Sequence, residues 1–173
     1  MQSKTIGHGE HTVGIVGYGW VSKAMHKIFG NWFKAIYTPY VFKEEPFLLK
    51  PLQGAALMAS REVWEKVGLL DEDYHFLFED VDWSWRAEQA GVKLFLVPQA
   101  KITHLGGGSW QKKNPKTDFN FYCQHFDSFL LFVRKNYGRR ELKIFRQALL
   151  LNFLSRFKFQ LFNYFLQIKP NNP

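Results

Sequence analysis

Phe78-Glu79-Asp80-Val81-Asp82-Trp83-Ser84-Trp85-Arg86 sets three carboxylates within four consecutive positions, among large aromatic side chains. Charges this close repel one another and are costly to bury. Such a cluster marks a helix N-terminus, a cation site or an active site, and its surroundings bear on which. Upstream, Gly54-Ala55-Ala56-Leu57-Met58 is small and apolar, which predicts a buried strand. Ser60 is placed to N-cap a short helix over Arg61 to Val67, closed by Gly68, with Trp64 and Val67 on one face. Leu69 to Tyr74 turns the chain; Asp71-Glu72-Asp73 lies in that turn and fits an Asp-x-Asp metal motif by letter only. Asp80 or Asp82 is expected to cap the next helix, whose dipole favours negative charge there, and Gly91 ends it. Lys93 to Val97 then reads as a strand closed by Pro98, and Lys101 to His104 as a further short strand. Leu105-Gly106-Gly107-Gly108-Ser109 follows as a flexible loop whose backbone amides can approach an anion.

Taken in order, Gly54 to Met58, Arg61 to Gly68, Leu70-Asp71-Glu72, Phe78 to Arg86, and His104 with Gly106 to Ser109 resemble the acceptor-side half of family-2 glycosyltransferases. Within that family the resemblance is to the rhamnosyltransferase-like, inverting enzymes of surface-polysaccharide synthesis in the cell envelope. The resemblance covers about Leu49 to Tyr137. It implies a GT-A fold and transfer of a sugar from a nucleotide-diphosphate donor to a saccharide or lipid-linked acceptor. It makes Asp80 the general base and Glu79 the residue that orients the acceptor. Substrate contacts would come from Gly54, Ala55, Asp82, Trp83, Arg86, Gly107, Gly108 and Ser109. Asp82 would also cap the helix, and Arg86 would pair with an acid. His104 would face a Mn2+ or Mg2+ ion on the diphosphate. The chemistry suits the central acid pair, because an inverting transfer needs one carboxylate to take the acceptor proton. A neighbouring acid, Glu79 or Asp82, would raise the pKa of Asp80 by like-charge repulsion.

The sequence departs from that pattern before Gly54. The family's donor half, with its several strands and metal-binding Asp-x-Asp, would stand there, and about fifty residues of different character stand instead. Thr12 to Val16 reads as a short strand, running through Gly17-Tyr18-Gly19 into a helix over Lys23 to Phe29 that Gly30 stops, with Phe33 to Tyr37 a second strand. This resembles the opening of an NAD-binding Rossmann domain of the nucleotide-sugar dehydrogenase kind. Gly17 and Gly19 match its first two glycines, but Ser22 replaces the third, and Thr38 stands where the ribose-binding acid belongs. Pro39, Pro46 and Pro51 break the linker that follows.

Downstream, Phe119 to Tyr137 is helical in pattern and Gly138 stops it. Glu141 to Ile168 contains no Gly or Pro and predicts one long helix, with Leu142, Phe145, Leu149, Phe153, Phe157, Leu161 and Phe165 forming its apolar stripe. Arg134 to Lys169 holds nine Lys or Arg against one acid, Glu141, so it accounts for the whole net charge of +8. A basic, aromatic-rich amphipathic helix suits an anionic membrane surface. Nucleic acid is not expected as a partner, since no recognition motif accompanies the charge. Met1 to Trp20 carries His8, Glu10 and His11 where a signal peptide needs a continuous apolar region. No apolar run reaches the roughly 18 residues of a membrane span. The one cysteine, Cys123, forms no internal disulfide and reads as a small buried apolar residue in a reducing compartment.

The expected architecture is therefore α/β. It has a Rossmann-like β-α-β segment over residues 1–45, an incomplete GT-A-like half domain with a short mixed sheet over 46–137, and a basic helical tail over 138–173. The expected function is inverting glycosyl transfer by a fragment or truncated form, at the inner face of the plasma membrane. The competing readings are a non-catalytic remnant or binding module without a donor site, and an NAD-binding protein.

Overall fold

The computed structural model describes residues 11–12, 44–48, 52, 54–75, 77–102 and 115–167. Among these the chain is mostly helical, with two small antiparallel strand pairs. It divides into two compact units: Met1–Leu70 with Asp80–Ser109, and Asp71–Glu79 with Trp110–Pro173.

The first unit contains β1 (His11–Thr12), β2 (Phe47–Leu48), a 3-10 turn at Gly54–Ala56 and α1 (Arg61–Val67). It continues with α2 (Glu79–Gln89) from Asp80 onward, β3 (Phe95–Leu96) and β4 (Lys101–Ile102). β1 pairs with β4, His11 opposite Ile102, and β2 with β3, Phe47 opposite Leu96. Both ladders are antiparallel, so the short mixed sheet expected from sequence is corrected for the described residues. The strand expected at Gly54–Met58 is also corrected. Gly54 to Ala56 form the 3-10 turn and Met58 is 92% exposed. The Gly54 amide is bonded to the Asp80 side chain, so it is not a ladder donor. The α1 reading holds: Ser60 Oγ accepts from the Val63 amide, and Gly68, at φ 85°, ends the helix in a conformation that favours glycine. Val67, Trp83, Ala87 and Leu94 form the core of this unit, with Val63 and Trp64 packed against it. The Trp64 and Trp83 rings lie 4.7 Å apart.

The second unit is three helices, α3 (Pro115–Asn136), α4 (Arg139–Ser155) and α5 (Phe159–Gln167), with the Asp71–Glu79 segment. Gly138, at φ 100°, separates α3 from α4 as its glycine predicts. The single helix expected over Glu141 to Ile168 is instead two. It stops at Ser155, passes Phe157 at φ 56°, and resumes at Phe159. The reason is packing. The break lets α5 fold onto α4 and α3, where Phe153 and Phe165 stack at 5.6 Å and both meet Phe126 edge-on. Six residues of the expected stripe, Leu142, Phe145, Leu149, Phe153, Leu161 and Phe165, are buried there. Arg146 closes the end of α5 by donating to the carbonyls of Phe165 and Leu166.

Phe78 anchors the Asp71–Glu79 segment among His125, Phe129 and Phe132. Burial lowers the His125 pKa to about 4, so its ring is neutral at pH 7. Buried Cys123 has its thiol pushed up to about 12 by burial and by Asp127. Tyr164 Oη donates to Asp127 Oδ2 at 2.7 Å.

Beyond Thr12, the strand–glycine–helix–strand reading of Thr12 to Tyr37 lies outside the described residues, as do His104 and Leu105 to Ser109.

Candidate active site

α2 begins at Glu79, so Asp80 is in its first turn and Asp82 is its fourth residue. Neither acid occupies the cap position expected from sequence. The chain enters the helix through Leu77 and Phe78, at φ 63° and 75°. Two successive non-glycine residues in the left-handed region are unfavourable. Such strain accumulates at functional sites, and here it directly precedes the acid pair.

Asp80 is held from two sides. Its Oδ2 accepts from the Gly54 amide at 2.8 Å and its Oδ1 from the Val81 amide at 2.8 Å. Burial raises the pKa of Asp80, and the amides of Gly54, Val81 and Asp80 itself oppose the rise without cancelling it. The cause therefore differs from the like-charge repulsion expected from sequence: desolvation lifts this carboxyl. With these three amides the carboxylate keeps one of its four acceptor positions for a further donor. A Cβ at Gly54 would lie 3.4 Å from the Asp80 Cβ, an ordinary contact, so the hydrogen bond and not the missing side chain is what ties the two residues. Ala55 lies in the same 3-10 turn. Glu79 opens α2 with Oε2 shielded from solvent.

Asp82, Trp83, Ser84 and Arg86 tie the helix to its own unit. Asp82, 2% exposed, accepts from Arg86 Nε at 2.8 Å. Arg86 also donates to the carbonyls of Val67 at 2.7 Å and Leu69 at 2.8 Å, which satisfies the C-terminal end of α1 with a cation. Trp83, 1% exposed, donates from Nε1 to the Gly68 carbonyl at 2.8 Å. Ser84 Oγ accepts from the Leu52 amide at 3.1 Å. Arg86 thus pairs with an acid, as the resemblance implied, and Asp82 is that acid. The structure joins Gly54 to Asp80 and Asp82 to Arg86, and ties Trp83 and Arg86 to the end of α1.

Asp71 and Asp73, the Asp-x-Asp by letter, turn their carboxylates to Lys135 Nζ at 2.5 and 2.6 Å. Asp71 Oδ1 also accepts from the Asp73 amide, an Asx turn. Among the described residues no group of three or more His, Cys, Asp or Glu is placed to hold a metal ion.

Sequence reasoning missed Lys135 and Ser84. Lys135 stands 62 residues or more from its acid partners, and Ser84 is 32 residues from Leu52. Neither separation leaves a local signal.

Comparison with known proteins adds one partial relationship. The dTDP-rhamnosyl transferase RfbF of Shigella flexneri is 30% identical to this chain over 64 residues, which are 37% of the chain and 22% of that protein. The likeness is to a glycosyltransferase. The chain spans about a fifth of the length of this curated relative. No family model and no solved structure matches.

Proposed function

We propose that the chain carries the acceptor-side part of an inverting glycosyltransferase with Asp80 as its general base. The observation that carries this reading is the state of Asp80. Two backbone amides fix its carboxylate, burial makes it more basic, and strained backbone at Leu77–Phe78 leads into it. The partial likeness to a rhamnosyl transferase supplies the reaction class.

In the proposed step, the acceptor hydroxyl oxygen attacks the anomeric carbon of the sugar. The bond from that carbon to the diphosphate oxygen breaks, and the nucleoside diphosphate leaves with the bonding pair. Asp80 takes the hydroxyl proton as the new glycosidic bond forms. A raised pKa favours this role, because a base works best when its pKa approaches the working pH. Glu79 orients the acceptor. Gly54, bonded to Asp80, and Ala55 are assigned to the acceptor. Asp82, Trp83 and Arg86 keep α2 in place through contacts made inside the unit. Gly107, Gly108 and Ser109 are assigned to the diphosphate, and His104 to a Mn2+ or Mg2+ ion on it. The proposed fold for this part is the acceptor half of a GT-A domain. The proposed setting is the cytoplasmic face of the plasma membrane, in surface-polysaccharide synthesis with a saccharide or lipid-linked acceptor.

The relative's name makes dTDP-rhamnose the first donor to supply, with Mn2+. Asp80→Asn should lower transfer by about a thousandfold, the scale of a lost general base, with unchanged circular dichroism. Transfer retained in that variant rejects the assignment. A remnant or binding module without a donor site predicts no transfer in the parent chain, and no heat on titration with nucleotide sugar.

A further inference from the structure

The apolar stripe that the sequence offers to a membrane is mostly consumed by helix packing, yet the α4–α5 turn presents a different apolar surface. Leu151 is 67% exposed, Leu154 45%, Phe157 78% and Phe159 52%. By spacing, Ile144, Leu151 and Leu154 share a face of α4 with Arg140. Phe157 stands at the tip with φ 56°. A bulky side chain is disfavoured there relative to Gly or Asn, and deep burial would be the ordinary compensation. Phe157 has no such burial; its ring meets Phe159 at 6.0 Å, and that ring is itself half exposed. The left-handed turn itself closes α4, since the Phe157 amide donates to the Leu154 carbonyl and the Lys158 amide to the Phe153 carbonyl, but Gly or Asn would close it equally well, so the exposed ring is what the fold does not use.

The charges beside this tip indicate what it meets. Arg156 and Lys158 flank Phe157, and both are exposed. Arg139, Arg140 and Lys143 are exposed on α4, and Glu141 is the only acid from Arg139 to Gln167. Two copies of this surface would face each other with like charge. We infer that the α4–α5 turn is an interfacial wedge for an anionic lipid bilayer. Leu154, Phe157 and Phe159 enter the headgroup–acyl boundary, and the flanking cations meet lipid phosphates. This inference uses only the α3–α5 unit and stands or falls apart from the transferase reading.

The test is flotation of the full chain with vesicles of phosphatidylcholine alone or with about a third phosphatidylglycerol. Binding is expected on the anionic vesicles, about tenfold weaker on the neutral ones, and weakened by salt. Phe157→Asn should weaken anionic binding by about tenfold while leaving the melting temperature equal or higher, because Asn accepts the left-handed conformation. Lys158→Gln should weaken binding by about fivefold without altering the fold. Absence of binding to anionic vesicles overturns the inference. So does full binding by Phe157→Asn that retains its fold, or a dimer in light scattering that Phe157→Asn dissociates.

Discussion

Around α2, hydrogen bonds reach across the sequence. The Leu52 amide reaches Ser84, the Gly54 amide reaches Asp80, Trp83 reaches the Gly68 carbonyl, and Arg86 reaches Val67 and Leu69. In the α3–α5 unit, rings do the comparable work. Phe126, Phe153 and Phe165 interlock, and Phe129 meets Phe145 at 5.8 Å. The difference is one of tolerance. A hydrogen bond places a single atom to within a few tenths of an ångström. Ring packing places whole helices and accepts small adjustments. A carboxylate that must meet a reacting atom needs the first kind of support.

The sharpest way to break the ring-packed region is Phe153→Ala. Phe153 is fully buried and touches Phe126 and Phe165. Its loss should cost roughly 3–5 kcal/mol, the range for a large aromatic replaced by alanine in a core. Urea titration followed by circular dichroism measures it. The same packing explains why the α4–α5 break was illegible. No Gly or Pro interrupts Glu141 to Ile168, so the local signals run on. The reversal is set by where Phe165 must go to meet Phe153, a tertiary requirement that overrides propensity. The Ser60–Gly68 helix was legible because its cap and its stop are both local. Gly54 to Met58 was misread because a small apolar run is equally compatible with a strand and with a turn held by a distant carboxylate. At the candidate site, Asp80 and its neighbours were legible as a cluster. The desolvation that tunes Asp80 was not, because burial is a property of the fold.

The wired region breaks best at Asp82→Ala. Removing this carboxylate leaves Arg86 with its bonds to Val67 and Leu69 but without its counter-charge. A fully buried pair broken this way loses about 3–5 kcal/mol, and the 30% exposure of the Arg86 side chain moves the expectation down to about 2 kcal/mol. Chemical denaturation of the full chain reads it. A loss under about 0.5 kcal/mol would show that this network is no more than surface pairing.

The smallest expected effect on stability lies beside that residue, two positions earlier. Asp80→Asn should cost about 1 kcal/mol at low pH, because the Asn Oδ1 accepts only one of the two backbone amides and Nδ2 faces the other donor. Its pH dependence carries the information. The folded Asp80 pKa is raised above its ordinary value by burial. Below that ordinary value both folded and unfolded chains hold the proton, and Asp80 contributes no slope. As pH rises from there towards the folded pKa, the unfolded chain ionises first, and the parent loses stability. The Asn variant has no such loss. The melting temperature of the variant minus that of the parent should therefore climb through this window and level off above it. A difference that falls with rising pH would mean that the amides of Gly54 and Val81 outweigh desolvation, leaving Asp80 a fixed anion of the helix start and a poorer base than the transferase reading requires.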